Sequence, residues 1–405
     1  MKLVTPSYYK TFHCTADACR DNCCRGGWLV GIDEQTEERY QKMPGALGEK
    51  LRAALFTQDG ETFLKHADED CPLLRADGLC EVVKEKGPEA LGVVCDQFPR
   101  FSEYFGERKE TGVGLACEEA ARIVLSSAPE EARLTESGLT EDPYGDDEYE
   151  KAWDDRVSRV RAVFDGMLER ADISGGFDGL FQTLQAMLLA AADLQMDANK
   201  NDFAAFDRKV QALAADGGEG SIRALAGRLR PCVTNAAASR NMAYIELFSQ
   251  LESIGPAWDE ELARMRSIYG TEPCVSHFPQ RAAGFEAAHT ELGPALARYA
   301  RYLHFRYFEK AVYDHDILGK CKLTALFTLM LEMMLMADGK DDGRGKQTEP
   351  GQIPESLAAA VHLFSRQVEY DEENMEQIAE DLTFERCART DELIFALSHY
   401  MKQIG

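Results

Sequence analysis

The chain has 405 residues, with 45 Lys and Arg against 70 Asp and Glu and a formal net charge of −25. Nucleic acid and anionic membrane surfaces are normally met by a basic patch, so that balance excludes both as expected partners. No run approaches the roughly 20 apolar residues of a membrane span, and the length exceeds the roughly 250–300 residues at which one core stops growing, which predicts two or three domains.

The opening segment, Met1 to Lys10, lacks the apolar core of an export signal and meets Cys14 at once, so a soluble cytoplasmic protein is expected. The negative excess serves solubility, and it would also attract a basic, lysine-bearing protein surface.

Eight of the twelve cysteines lie within the first 117 residues: Cys14, Cys19, Cys23, Cys24, Cys71, Cys80, Cys95 and Cys117. In a reducing compartment such thiols are ligands or redox groups rather than a disulfide framework. The spacing is C-x4-C-x3-C-C, then C-x8-C-x14-C-x21-C. Four thiolates satisfy one tetrahedral zinc or one [4Fe–4S] cluster, so eight allow two centres, or one centre with structural cysteines beside it. The pattern is neither that of tandem zinc ribbons nor of bacterial ferredoxins. It also lacks the C-x3-C-x2-C triplet of radical S-adenosylmethionine (SAM) enzymes. His13 and His66 stand near these cysteines and read as surface or packing histidines, while Cys232, Cys274, Cys321 and Cys387 read as buried thiols.

Between the cysteines, Trp28 to Ile32 is strand-like and Asp33 is placed to cap a helix over Glu34 to Met43, stopped by Pro44-Gly45. Asp77-Gly78 marks a hairpin that would fold Cys80 back towards Cys71. Cys117 should begin a helix, where a thiolate is favoured. Residues 128–150, rich in acid and containing Pro129 and Pro143, read as a surface linker.

The rest carries apolar positions three and four apart, in Trp153–Leu168, Leu180–Leu194, Ile222–Leu229, Met242–Ile254, Leu292–Phe308 and Leu323–Met336. The expected fold is mainly α: a small, irregular α+β, cysteine-rich metal-binding domain over 1–127, then a helical bundle over 151–336. A polar, Gly-rich linker over 337–354 follows, and helices within 355–405 pack back on the bundle.

The segments Phe12 to Trp28, Cys71-Pro-Leu-Leu with Asp77-Gly-Leu-Cys80, Cys95-Asp-Gln-Phe-Pro-Arg100 and Cys117-Glu-Glu-Ala-Ala-Arg122 resemble the flagellin lysine-N-methylases of the FliB type, with a cysteine cluster of the YkgJ type. Arg301 to Phe308, Asp314 to Lys320 and Phe364 to Asn374 look like later segments of the same family, and Gly26-Gly27 departs from its single glycine. The resemblance implies SAM-dependent methylation of surface lysines on flagellin, with an iron–sulfur cluster, expected as [4Fe–4S] with zinc as the alternative, held by the eight clustered cysteines. There is no Gly-rich fingerprint of a Rossmann-type methyltransferase to place the SAM site. Methylation needs an uncharged amine, whose ordinary pKa is about 10.4. Tyr302, Tyr307, Asp314, Asp316 and Tyr370 are therefore candidates to orient it or take its proton, and Arg306 and Arg366 are candidates to hold the SAM carboxylate. The competing readings are a metal-cluster electron-transfer protein and a zinc-stabilised interaction scaffold.

Overall fold

Asp33 accepts a hydrogen bond from the Thr36 backbone N–H at 2.9 Å, which starts helix α1 (Glu34–Gln41) where the cap predicts it. This is a computed structural model, and it describes residues 1–25, 28–66, 69–138, 149–174, 176–220, 236–338, 353 and 355–397. The N-terminal part holds two sheets. Strands β1 (Lys2–Pro6), β5 (Arg100–Phe105), β6 (Arg108–Val113) and β7 (Leu134–Gly138) form one, in the order β5-β6-β1-β7. Strand β1 pairs parallel with β6 and antiparallel with β7. Strands β2 (Val30–Gly31), β3 (Phe56–Gln58) and β4 (Glu61–Lys65) form the other, in the order β2-β4-β3. Short helices α2 (Gly45–Ala54), α3 (Glu81–Lys86) and α4 (Val93–Gln97) fill out this region, and α5 (Glu118–Ser126) leads from it.

Beyond residue 150 the described residues are helical: α6 (Lys151–Ser174), α7 (Phe177–Asn199), α8 (Phe203–Asp216), α9 (Ala236–Phe248), α10 (Pro256–Tyr269), α11 (Glu272–Ala288), α12 (Leu292–Tyr307), α13 (Ala311–Asp314), α14 (Ile317–Asp338), α15 (Glu355–Phe364), α16 (Glu372–Phe384) and α17 (Thr390–Ala396). Helix α14 is apolar nearly all round, and every residue from Leu323 to Ala337 is buried, as a helix at the centre of a bundle must be. It packs against α7, α12, α10, α15 and α16. The mainly α fold with a small α+β N-terminal part is thus the one expected.

Some local readings need correction. Trp28 to Ile32 contributes only the two-residue strand β2. Part of the expected linker is strand β7, whose five residues are all exposed; an edge strand with no buried face leaves no alternating pattern to read. Helices α8, α10 and α11 lie outside the predicted segments. The predicted helix over Ile222–Leu229 falls outside the described residues, as does most of 337–354.

Two apolar cores result. The larger joins the bundle to the first sheet and α5 through Tyr8, Phe12, Phe105, Val113 and Leu115. An ion cluster bolts the sheet down: Arg161 Nη1 lies 2.7 Å from Glu110 Oε1 and 3.0 Å from Glu309 Oε2, and Arg108 Nη2 lies 2.8 Å from Asp154 Oδ1. The smaller core comprises Val30, Ile32, Tyr40, Leu47, Leu51, Leu64, Leu73, Val82 and Ala90, with Trp28, Cys71, Cys80 and Cys95 packed against it.

Candidate functional site

The local folding that gathers the thiols starts at the Asp77-Gly78 turn, where Gly78 takes a φ of 79°. Arg75 N–H donates to Leu79 O at 3.0 Å and Leu74 bridges Cys80, which returns Cys80 towards Cys71 as predicted. Asn22 ties the first cysteine loop to that hairpin. Its Nδ2 donates to Gly78 O at 2.7 Å, its Oδ1 accepts from Cys24 N–H at 2.8 Å, and Cys71 N–H donates to Cys24 O at 2.7 Å. Asn22 is a positioning residue that sequence reasoning missed, because an Asn between cysteines carries no signal of its partner.

The thiol of Cys24 bonds to Cys23 and Cys71, and in donating its hydrogen it favours a thiolate on either neighbour. The Cys71 thiol is lowered to about 7, first by that hydrogen bond and then by the Leu73 and Leu74 amides and Lys65. Cys80 and Cys95 lie within electrostatic reach of Cys71 and Cys23, and burial pushes Cys95 up to about 12. Cys14, Cys19 and Cys117 form a second, looser set that meets the first at Cys23. Cys117 does cap α5, but burial pushes its thiol up to about 12, so desolvation outweighs the helix dipole expected to favour its thiolate. A cleft of about 520 Å³ opens beside this set, lined by Cys19, Arg20, Glu118, Arg122 and Glu355 among others.

Among the described residues no three His, Cys, Asp or Glu side chains already stand in ligand geometry. The donor chemistry nonetheless fits a thiophilic metal: Cys24 stands in hydrogen-bond contact with both Cys23 and Cys71, with two further half-buried thiols at hand. His13 is exposed. His66 stacks on Phe56 at 3.7 Å between centroids, in the packing role expected of it. Cys321 is buried and Cys387 half-buried, while Cys232 and the Cys274 side chain fall outside the described residues.

The thiol lobe meets the helical body along an aromatic and charged seam. Trp28 lies 5.6 Å from Phe98 and 5.0 Å from Tyr370, and Phe98 meets Tyr370 edge-on at 5.4 Å. Arg366 stacks over Trp28 at 4.6 Å while its Nη1 lies 2.8 Å from Asp21. His362 Nε2 holds the same Asp21 oxygen at 2.7 Å. These partners, His362 foremost, keep the Asp21 carboxyl down at about 2. Arg366 therefore stands in the lobe-to-body joint, and Tyr370 lies within reach of Cys23, Cys95 and Arg306.

Directly inside the seam is a buried polar cluster. Tyr299, Tyr302 and Arg306 are three and four residues apart on α12 and so share a face. Opposite them the continuation of α15 widens into a π-helical turn, Ser365–Glu369, closed by Tyr370 N–H donating to Ser365 O at 3.0 Å. Tyr302 and Tyr307 each donate to Glu369 Oε2 at 3.0 Å, and Arg306 Nη1 donates to the Tyr302 hydroxyl at 2.5 Å. Burial raises both phenols well above the usual tyrosine range, which makes them hydrogen-bond donors rather than bases. Glu369 is a second residue that sequence reasoning missed, since neither the π turn nor its partners across the bundle leave a local trace.

The structure does not bring Asp314 and Asp316 to this cluster. Asp316 accepts from Gly319 N–H at 2.7 Å at the start of α14, and Asp314 accepts from Asp316 N–H at 3.0 Å and pairs with Lys320.

Fold and site together define a helical protein that carries a docked, thiol-rich lobe. It is 29% identical over 159 residues to a lysine-N-methylase of Salmonella typhimurium, and 31% identical over 160 residues to one of Salmonella choleraesuis. Each match covers 36% of this chain and 38% of the relative, so the chain spans well under half the length of these proteins. It is also 31% identical over 136 residues to the flagellar biosynthetic protein FliU of Salmonella muenchen, covering 31% of this chain and 80% of that relative. The chain belongs to the family of these lysine-N-methylases and FliU. No model of a protein family and no solved structure matches it. Among the described residues no helix is long and apolar enough to cross a membrane.

Proposed function

We propose that this protein is a SAM-dependent protein-lysine N-methyltransferase that acts on side-chain amines of flagellin and carries an iron–sulfur centre on its N-terminal thiolates. The observation that carries the reading is the abutment of the thiol lobe on the buried Arg306–Glu369–tyrosine cluster through Trp28, Phe98 and Tyr370, in a chain whose relatives are named lysine-N-methylases. The flagellar name of FliU supports a flagellar protein as the substrate.

Cys23, Cys24, Cys71, Cys80 and Cys95 are the residues that would hold the metal centre. When bound, such a centre supplies cross-linking of a small lobe. The seam does the rest with this chain's own groups. Trp28, Phe98 and Tyr370 present an apolar, half-buried wall at the seam, and such surroundings favour the uncharged form of an arriving amine. A neutral amine is a competent nucleophile towards a methyl sulfonium: its nitrogen lone pair forms the new N–C bond, the C–S bond breaks with its electrons staying on sulfur, and the ammonium product loses a proton. This displacement needs alignment and a proton route. It predicts S-adenosylhomocysteine in proportion to methyl groups transferred, with no 5′-deoxyadenosine, in keeping with the missing cysteine triplet.

The test is mass spectrometry of flagellin after incubation with SAM and the anaerobically purified protein. Lysine-specific methyl increments with matching S-adenosylhomocysteine are expected. Unmodified flagellin would reject the activity, stoichiometric 5′-deoxyadenosine would reject the displacement mechanism, and zinc in place of iron and sulfide would reject the iron–sulfur centre.

A further inference from the structure

The buried cluster holds an asymmetry that packing does not account for. The Glu369 side chain is wholly buried, and its Oε2 accepts from Tyr302 and Tyr307 and lies 3.5 Å from Arg306 Nη1. Its Oε1, equally buried, has no hydrogen-bond partner. The Tyr299 hydroxyl and Ser365 Oγ are likewise buried without partners. Tyr299 is within electrostatic reach of both Glu369 and Arg306, and Ser365 opens the π turn that Glu369 closes. A buried polar atom left unpaired costs free energy, and a carboxylate oxygen more than most. Several such atoms around one π turn mark a place where a polar ligand completes the bonding, and π turns recur at functional sites.

Charge identifies the ligand class. Glu369 and Arg306 already neutralise one another, so a lone ammonium or a lone carboxylate entering here would leave a buried charge uncompensated. A zwitterion would not. Its ammonium can donate to Glu369 Oε1 while its carboxylate accepts from the guanidinium, the group best suited to bidentate carboxylate recognition. Arg306 retains 14% side-chain exposure. It is backed by Phe101 at 4.8 Å and faces Gly114, where a Cβ would stand only 3.3 Å from Nη1. The absent side chain leaves the guanidinium approachable at that point.

We propose that Glu369 and Arg306 form a recognition site for the α-amino-acid end of a ligand, which, on the function proposed above, is the methyl donor. Calorimetry with two probes tests it: S-adenosylhomocysteine, which carries the amino-acid end, and 5′-methylthioadenosine, which keeps the nucleoside and thioether without it. Glu369→Gln preserves the shape and removes the charge. It is expected to weaken S-adenosylhomocysteine at least tenfold and to leave 5′-methylthioadenosine within twofold of wild type. Equal loss of both probes, or loss of neither, would overturn the assignment. So would a rise in flagellin KM with S-adenosylhomocysteine affinity unchanged, which would give Oε1 to the substrate lysine instead. If Glu369→Gln fails to fold, Tyr299→Phe deletes one unpartnered hydroxyl in the same cluster and is expected to show the same selectivity at several-fold size. Wild-type protein that binds neither probe would reject the methyl-donor reading itself, and the inference with it.

Discussion

The two cores of this molecule are held by different means. The larger is closed by bulk: Phe164, Leu326, Phe327, Met330 and Phe364 are fully buried, and α14 runs through its middle. The smaller closes around only nine buried apolar residues, with Trp28, Met43, Ala54, Leu55, Leu91 and the three cysteines Cys71, Cys80 and Cys95 partly buried against them. A lobe below about 70–80 residues rarely gains more than about 3–5 kcal/mol from such a core. The difference teaches why the proposed metal centre would matter in one region and not the other: burial runs short in the lobe that the thiols line.

Removing the proposed centre should break the comparison most visibly. Metal-thiolate binding contributes on the order of 10 kcal/mol to small metal-dependent folds. Cys71→Ser, or chelation of the wild type, should therefore release metal and open residues 28–98 while leaving the bundle folded. Hydrogen exchange reads this directly: fast exchange is expected across α1 to α4, with α14 still protected. Equal loss of protection in both regions would mean that the lobes unfold as one unit.

The converse experiment truncates the large core. Phe164 is fully buried between His304 and Phe308, and Phe164→Ala should lower the main unfolding free energy by about 3–5 kcal/mol. Metal content should stay at the wild-type value. A parallel loss of metal would tie the small lobe to the large core more tightly than the contacts across the seam suggest.

Acid should also act on the large core. Burial depresses His304 to about 4, below its ordinary 6.5, while its Nε2 bonds the Arg161 carbonyl oxygen at 3.0 Å. The unfolded chain binds the proton first, so the stability this residue confers is intact above pH 6.5 and is lost as pH falls to about 4. The full loss is about 3 kcal/mol. Denaturant melts at pH 7 and 4.5 should show it in the main transition, and His304→Gln should flatten that dependence.

What the sequence made legible follows range. The cysteine spacing, the Asp33 cap, the Asp77-Gly78 turn and the long helices are local signals, and each reappears in the structure. The gathering of Tyr302, Tyr307 and Arg306 was half legible, because helical periodicity puts Tyr302 and Arg306 on one face without naming what they meet. Glu369 was not, since its partners lie across the bundle and depend on a π turn. Asp314 and Asp316 carried the same chemistry in sequence yet serve at a helix start. Cys117 was placed correctly and its acidity was not, because a helix terminus can be read from sequence whereas desolvation depends on what packs against it.

The smallest change tests whether the thiol lobe is a cooperative unit of its own. Asp33 does two things: Oδ1 caps α1 through Thr36 N–H at 2.9 Å, and Oδ2 accepts from Val93 N–H at 3.3 Å, the first residue of the helix that carries Cys95. Asp33→Ala removes both bonds, and loss of an N-cap costs about 1 kcal/mol. If the lobe is its own unit, that cost falls on the lobe and on Cys95, so metal affinity should drop roughly five- to tenfold, as about 1 kcal/mol implies, with no shift in the main melting transition. Asp33→Asn keeps an acceptor for the cap and should recover most of the affinity. A shift of the main transition with metal affinity unchanged would mean that α1 reports on the bundle and that the two cores are less separate than their composition implies.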